Sequence, residues 1–426
     1  MSVAEFSRIP IGELVASGEA ELKTGPFGTQ LKASDYTENG TPVINVRNIG
    51  FGSIKVDKLE FIAPSTRDRL SSHVLKNGDI VFGRKGAVER HVFIRQEQNG
   101  WFQGSDCLRL RFASQRVEPL FASYYFLTSE HQRWMMNQCS HGATMASLNQ
   151  GILERIELPL PPLPVQQRIA GILSAYDELI ENSQRRIKIL ESMARALYRE
   201  WFVHFRFPGH EHHPRVASPL GEIPQGWEVK TVADAFVISG GGTPSRKEDE
   251  FWEGGTIQWY SPSDLTGAGT MFMDDSNDHI TERGLAQSSA RMFPARSVML
   301  TSRATIGAIA INTHPACTNQ GFITCLPNDH VPLFFLFHWL TENVPTFQRM
   351  ASGATFKEIS RGVFKTIEFL EPPDDLVGRF EAIAAPMAEQ VLSLQRQIQN
   401  LRRTRDLLLP RLLSGQVALD IEDPGP

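Results

Sequence analysis

The chain has 426 residues, too many for one hydrophobic core, and its 41% hydrophobic and 21% charged content suits a soluble globular protein of roughly two to four domains. A net charge of −5 excludes nucleic-acid binding through the overall field, so any such contact must come from a local patch. The four cysteines (Cys107, Cys139, Cys317 and Cys325) show no paired spacing, Met1–Pro10 has no apolar signal-like run, and the longest apolar run, Val331 to Leu340, is half a membrane span; a reduced, cytoplasmic setting without a membrane is expected.

In chain order, residues 1–160 read as a mixed α/β unit. β-rich runs at Val43–Val46, Ile80–Phe82, Val92–Ile94 and Leu108–Phe112 are separated by Asn-Gly and Gly-Asp punctuation. Pro119–Asn137 has helical character, with Leu120, Tyr124, Leu127 and His131 on one face. A turn, Gly142-Ala143-Thr144, an apolar run, Ile152–Leu158, and the rigid stretch Pro159–Pro164 lead into a long helix.

That helix is expected over Val165–Trp201. Its stripe (Ile172, Tyr176, Ile180, Ser183, Ile187, Leu190, Ala194, Leu197, Trp201) alternates steps of three and four, the seam of a coiled coil. A second stripe near the C-terminus repeats the same steps at Ile383, Met387, Val391, Leu394, Ile398, Leu401, Arg405, Leu408 and Leu412, each 211 residues after its counterpart. Arg405 is the odd member and is expected either to mark a splayed end or to snorkel. Between the helices lies the polar linker His210–Ser218. Its His210, His212 and His213 have no cysteine or carboxylate cluster to complete a metal site, so no metal is expected.

The segment between the helices repeats the first unit. Gly242-Thr243 is matched to Gly28-Thr29, Ile257–Tyr260 to Val43–Val46, Ser297–Leu300 to Asp79–Phe82, and Arg303 with Gly307 to Arg84 with Gly86. Gln320-Gly321 is matched to Gln103-Gly104, Leu333-Phe334 to Leu120-Phe121, Gly353-Ala354-Thr355 to Gly142-Ala143-Thr144, and Pro372-Pro373 to Pro161-Pro162. The chain is thus a duplication of globular unit plus long helix. The halves differ in charge: residues 208–375 hold 12 Lys and Arg against 20 Asp and Glu, whereas residues 1–163 hold 18 against 17.

No catalytic motif is complete. Gly240-Gly241-Gly242-Thr243 lacks the Gly-Lys-Ser/Thr of a phosphate loop, and Glu228-Val229-Lys230 lacks the upstream Pro-Asp of a nuclease. A binding protein is expected, with no cofactor on this chain. The candidate DNA contacts follow short strands: Arg47, Asn48, Arg84, Lys85, Arg90 and His91 in the first unit, and Ser245, Arg246, Lys247, Arg303 and Lys357 in the second. Each arginine and lysine among them is at least as readily a solvated surface charge; the grouping of Arg84, Lys85, Arg90 and His91 within eight residues favours contact there.

The run Leu158-Pro159-Leu160-Pro161-Pro162-Leu163-Pro164-Val165-Gln166-Gln167-Arg168-Ile169, the opening Gly221-Glu222-Ile223-Pro224-Gln225-Gly226-Trp227 and the segment Leu408-Leu409-Pro410-Arg411-Leu412-Leu413-Ser414-Gly415 together resemble the specificity subunit of type I restriction–modification systems. The resemblance covers nearly the whole chain. The sequence departs from the pattern at Glu371-Pro372-Pro373-Asp374-Asp375 and at Ile9-Pro10-Ile11-Gly12. The resemblance implies an α+β fold in which two similar mixed α/β target-recognition domains are joined by two long helices packed as an antiparallel coiled coil, with a pseudo-two-fold internal repeat. The expected divisions are 1–160, a first recognition domain; 161–207, the central helix; 208–372, a second recognition domain; 373–413, the C-terminal helix; and 414–426, an acidic tail.

By resemblance the chain is non-catalytic. Each domain reads one half of a split target in double-stranded DNA. The helices act as a ruler of roughly 50 Å, somewhat over one duplex turn of about 34 Å. The implied partners are modification subunits, two of them, which bind S-adenosylmethionine, and restriction/translocase subunits. The rival readings are a helical adaptor with two protein-binding heads and no DNA role, and a lone specificity-like DNA-binding protein without restriction partners.

Overall fold

The structure, a computed structural model, describes residues 6–139, 146–353 and 356–417. The turn Gly142-Ala143-Thr144, its match at Ala354 and Thr355, and most of the acidic tail lie outside them. The molecule divides into two compact units, residues 1–180 with 399–426 and residues 181–398. The division runs through both long helices, so each unit owns one end of each helix instead of ending where a helix begins.

The two units share one topology. In the first, a five-stranded sheet has the order Ala20–Thr24, Cys107–Phe112, Ile80–Gly83, His91–Phe93, Phe51–Gly52. In the second, the order is Val237–Gly240, Phe322–Leu326, Val298–Thr301, Ile309–Asn312, Phe272–Met273, the same path through the chain. Each unit adds a small sheet in which one strand pairs antiparallel with its neighbour and parallel with a later strand: Thr41–Ile44 in the first unit, Ile257–Tyr260 in the second. Each also closes with a short antiparallel pair just before its long helix, Arg8–Pro10 with Glu157–Pro159 and Glu228–Thr231 with Glu368–Glu371. The central strands carry Ile80, Val81 and Phe82, or Val298, Met299 and Leu300, buried on both faces, which is why they read as unbroken apolar runs.

Strand register corrects the internal alignment. Phe82 pairs with Leu108 and Leu300 with Ile323, which matches Arg84 to Ser302 and Lys85 to Arg303. Gly86, at φ 76°, then corresponds to Ala304, at φ 60°, and not to Gly307. Gly104 donates to Ile44 O at 2.9 Å and Asn319 to Tyr260 O at 3.0 Å, so Gln103-Gly104 matches Thr318-Asn319 and not Gln320-Gly321. Gly25, not Gly28, is the partner of Gly241. A Cβ on Gly25 would lie 2.0 Å from Gly104 O and one on Gly241 2.1 Å from Asn319 O, so both positions demand glycine. Matching dipeptides misled the alignment by two residues because the loops differ in length while the ladders do not.

The helices meet their expectations with local changes. Pro119–Phe126 and Ser129–Cys139 are two helices, broken where Thr128 turns its hydroxyl onto Tyr125 O; in the second unit one helix, Leu333–Met350, runs through Pro345. The central helix spans Leu163–Tyr198 and finishes in a wide π turn, Arg199–Val203. The C-terminal helix spans Asp374–Leu413.

Within the first unit the start of the central helix (Ile169, Leu173) and the end of the C-terminal helix (Leu409, Leu412) share one core. Within the second, the reverse ends meet: Tyr198 and Trp201 pack edge-on against Phe380 at ring separations of 5.7 and 6.4 Å. The helices are therefore antiparallel. The predicted seam is buried or half-buried with one exception. Ile383 is 40% exposed, because Phe380, Ala384 and Ala388 form the packed face at that end and leave Ile383 turned outward.

Arg405 neither splays nor snorkels. Its guanidinium donates to Asp177 at 2.5 Å, and the other oxygen of that carboxylate accepts from Tyr124 at 2.7 Å. The Gln-Gln motif has a physical reason as well. Gln166 is fully buried, accepts from Glu118 N at 2.9 Å and donates to Arg116 O and Pro161 O at 2.8 and 2.7 Å, locking the first turn of the central helix to the loop that leads into Pro119–Phe126. At the same offset the second unit has buried Val377, and Glu381 caps Leu333–Met350 through the N–H groups of Phe334 and Phe335, both at 3.1 Å.

Candidate nucleic-acid interface

Two of the predicted contacts are core residues. Asn48 is fully buried and holds its own loop: its amide donates to Lys55 O at 2.9 Å and its carbonyl accepts from Asn45 N at 3.1 Å. His91 is fully buried between Phe82 and Phe126, with Nε2 2.9 Å from the Ser123 hydroxyl. Burial, reinforced by the nearby imidazole of His131, lowers its pKa from 6.5 to about 3, so it is neutral and out of reach of DNA. Asn and His near a basic run look like base readers in sequence; here a tight helical turn folds Asn48 back onto its own loop and the strand His91–Phe93 turns His91 inward.

Arg47, Lys85 and Arg90 of the first unit reach the surface. Arg47 pairs with Glu60 at 2.8 Å and borders a cleft of about 380 Å³ that also contains Tyr36, Asn45 and Asp106. Lys85 lies 3.4 Å from Asp106. Arg90 pairs with Glu89 and sits over the exposed ring of Phe51. Arg84 is half-buried and forms no ion pair among the described residues; its backbone is pinned on both sides, N to Asp106 O and O to Leu148 N.

In the second unit Arg246 lies flat on Trp252, with its guanidinium carbon 3.6 Å from the ring centre and 5.1 Å from that of Trp259, and it pairs with Asp278. Ser245 accepts from the Trp252 indole and from Lys247 N, so the Ser245-Arg246-Lys247 loop is a built feature with an exposed cation on an aromatic bed. Arg303 lies 3.8 Å from Glu358, and Ala304 N donates to Lys357 O at 3.0 Å, which brings Arg303 and Lys357 together across two loops. The sequence reading overlooked Arg361 and Gln320, which border the same place. The repeat carried a signal for Arg361: Ser360-Arg361-Gly362 stands 211 residues after Asn149-Gln150-Gly151. Among the described residues no group of three or more His, Cys, Asp or Glu could hold a metal. His210 and His213 are instead bound to Phe207 O and Gln225 O.

The family model described as "Type I restriction modification DNA specificity domain" matches this chain twice, over residues 21–192 and 224–375. The chain belongs to that family. Each copy of the family's domain coincides with one run of the shared topology. Curated relatives extend the match. The MjaIX specificity subunit of Methanocaldococcus jannaschii is 26% identical over 70% of this chain and 69% of the relative. The putative MjaX specificity subunit of the same organism is 23% identical over 97% and 96%, and the HindI specificity subunit of Haemophilus influenzae 23% identical over 80% and 87%. All are specificity subunits, the non-catalytic component of a type I system. In fold, the chain is similar to the type I S subunit from M. genitalium, with TM-score 0.64, 16% identity and 97% of both chains covered. The specificity-domain motifs quoted above have structural duties: Trp227 of the Ile-Pro-Gln-Gly-Trp opening packs on Phe205, Phe207 and Phe202 at the end of the central helix, at 5.3, 5.8 and 6.1 Å. No helix among the described residues is long and apolar enough to cross a membrane.

Proposed function

We propose that the chain reads a bipartite target in double-stranded DNA, one half-site per unit, and that its two long helices set the gap and carry the modification and restriction subunits. The observation that carries this reading is the repetition, in both units, of one exposed cation at one place in the fold: Lys85 after strand Ile80–Gly83 and Arg303 after strand Val298–Thr301. Two copies of a reader in one chain suit two half-sites of one target, and their covalent linkage raises the effective concentration of the second reader once the first is bound. Helices of 36 and 40 residues, about 54 and 60 Å long at 1.5 Å per residue, have reach enough for more than one duplex turn. This chain holds no cofactor in the reading; S-adenosylmethionine belongs to the modification subunits, two per chain, and the complex works in the cytoplasm.

The test is a gel shift of duplex DNA with the chain and its modification subunit together, across a salt series. Binding that weakens steadily with salt is expected. Salt-independent binding, or none, would count for a protein-binding adaptor instead.

A further inference from the structure

We propose that each unit seats a backbone phosphate of duplex DNA in the same cleft of its fold, and that the arginine serving the seat comes from opposite walls: Arg361 in the second unit, Arg84 in the first. The inference rests on the DNA-reading function above and adds the site and its chemistry.

The cleft in the second unit has a volume of about 400 Å³. One wall is Gly240-Gly241 at the end of strand Val237–Gly240, with Ser302 and Gln320 beside it; the other is Glu358 to Arg361. Ile359 N donates to Ser302 O at 3.0 Å, which holds the walls together and sets Arg303 and Lys357 alongside. The Arg361 guanidinium lies against the backbone of Gly240, where a Cβ would come within 2.3 Å of Nη1. Arg361 forms no ion pair among the described residues. The side-chain oxygen of Gln320 accepts from Thr243 at 2.7 Å, which leaves its amide hydrogens as free donors. Two arginines, Arg303 and Arg361, therefore flank one acid, Glu358, in a segment where acids outnumber bases by 20 to 12. A planar guanidinium beside amide donors and a glycine backbone suits a phosphodiester, which takes paired N–H donors and relieves the mutual repulsion of the cations.

The first unit repeats the walls and exchanges the charge. Leu148 N donates to Arg84 O at 2.8 Å and Gly86 N to Ala146 O at 3.0 Å, the same zipper as Ile359 with Ser302 and Ala304 with Lys357. Arg84 thus stands where the second unit has Ser302, and Gln150 stands where it has Arg361. Gln150 is neutral and turned to its own sheet, donating to Leu22 O and the Thr24 hydroxyl, both at 3.3 Å. Lys85 keeps the place of Arg303. The arginine has changed walls, while each unit keeps one arginine and one further cation, Lys85 or Arg303, at this place in the fold. A requirement for one guanidinium there produces that exchange; solvated surface charge has no reason to compensate.

The experiment uses the full chain with its modification subunits and a mixed-sequence duplex, and follows affinity against salt. R361Q installs the first unit's residue at an exposed position. It should weaken binding roughly three- to tenfold, make the slope of log affinity against log salt shallower by about 0.9, and leave the sequence read at each half-site unchanged. Adding S302R to R361Q copies the first unit's arrangement and should restore both affinity and slope. R84S, and its rescue by Q150R, tests the same exchange in the first unit if S302R disturbs the packing of buried Ser302. Native-like melting of R361Q with unchanged affinity and slope overturns the seat, as does a loss that neither exchange restores. An unmutated complex without salt-dependent duplex binding overturns the DNA-reading function itself, and the two failures are thereby distinct.

Discussion

His91 shows how one side chain can carry the wrong message in sequence and a definite one in structure. It follows a run of basic residues, yet it is sealed against Phe82 and Phe126, and His131, equally removed from water, is held neutral beside it with a pKa also lowered to about 3 by burial. A base whose folded pKa is depressed stays uncharged in the fold, while the unfolded chain takes up the proton below its ordinary value of about 6.5. The stability these residues support is therefore complete above that value and is lost as pH falls toward the folded values. Each histidine should withdraw about 2 kcal/mol between pH 6.5 and pH 5. In the second unit His338, lowered by burial to about 4, stands alone in this role. Thermal unfolding followed at pH 7 and pH 5 should show a marked loss of stability in acid, and His91→Gln, which keeps a partner for Ser123, should lessen it. Melting that is equally pH-dependent in the variant would refute the assignment. The buried cysteines belong to the same scale: burial raises all four thiols, Cys317 to about 11, so they are inert packing groups and not a redox device.

At the scale of elements, the helix stripes were legible because a 3.6-residue period survives any tertiary context that buries one face. Leu190 lies half-buried against the core of the second unit, while its neighbour Ile189 is 58% exposed. Leu190→Asp should cost about 3 kcal/mol, from lost apolar burial and a desolvated charge, and should impair copurification with the modification subunits. Ile189→Asp, one residue away, should leave the chain's stability nearly unchanged. Equal effects in a denaturant titration would mean that the stripe is not the packed face. The period was weaker evidence at the ends of the helices. Ile383 fits the repeat, but the bulk of Tyr198, Trp201 and Phe335 around Phe380 rotates the packed face by one residue. The strands that were read lie within two residues of their observed ends, since buried runs such as Val298–Thr301 read as apolar, whereas the amphipathic edge strand Ala20–Thr24 and two-residue strands such as Phe51–Gly52 carry no such run and were not read. Their register was not legible, because it depends on ladder bonds between segments far apart in the chain, and a shared Gly-Thr or Gln-Gly pair is no substitute. The cleft went unread for a related reason. Arg84 and Arg361 are seen to flank the same place from opposite walls only when the strand pairing is known, and in sequence they do not align with each other at all.

At the scale of the whole molecule, the duplication makes each unit a replaceable reader, and the structure says where a replacement can be joined. A junction at residue 150 would cut a working core: Gln150 bonds to Leu22 and Thr24, Ile11 N donates to Ile156 O, and Arg8–Pro10 pairs with Glu157–Pro159. A junction at about residue 160 keeps those contacts within the exchanged piece and leaves the helix start, anchored by Gln166, to be matched at Arg116 and Glu118. A chimera carrying residues 6–160 of another family member should therefore fold and assemble. With its modification subunits it should methylate a target in which one half-site is new, while the other half-site and the gap between them are those of the parent. Genome-wide mapping of methylated adenines in cells carrying the chimera reads all three features at once. A target altered in both halves would mean that the units do not read independently. An altered gap with the second half-site retained would move the ruler from the helices into the exchanged unit, against the reading of the helices as the fixed frame.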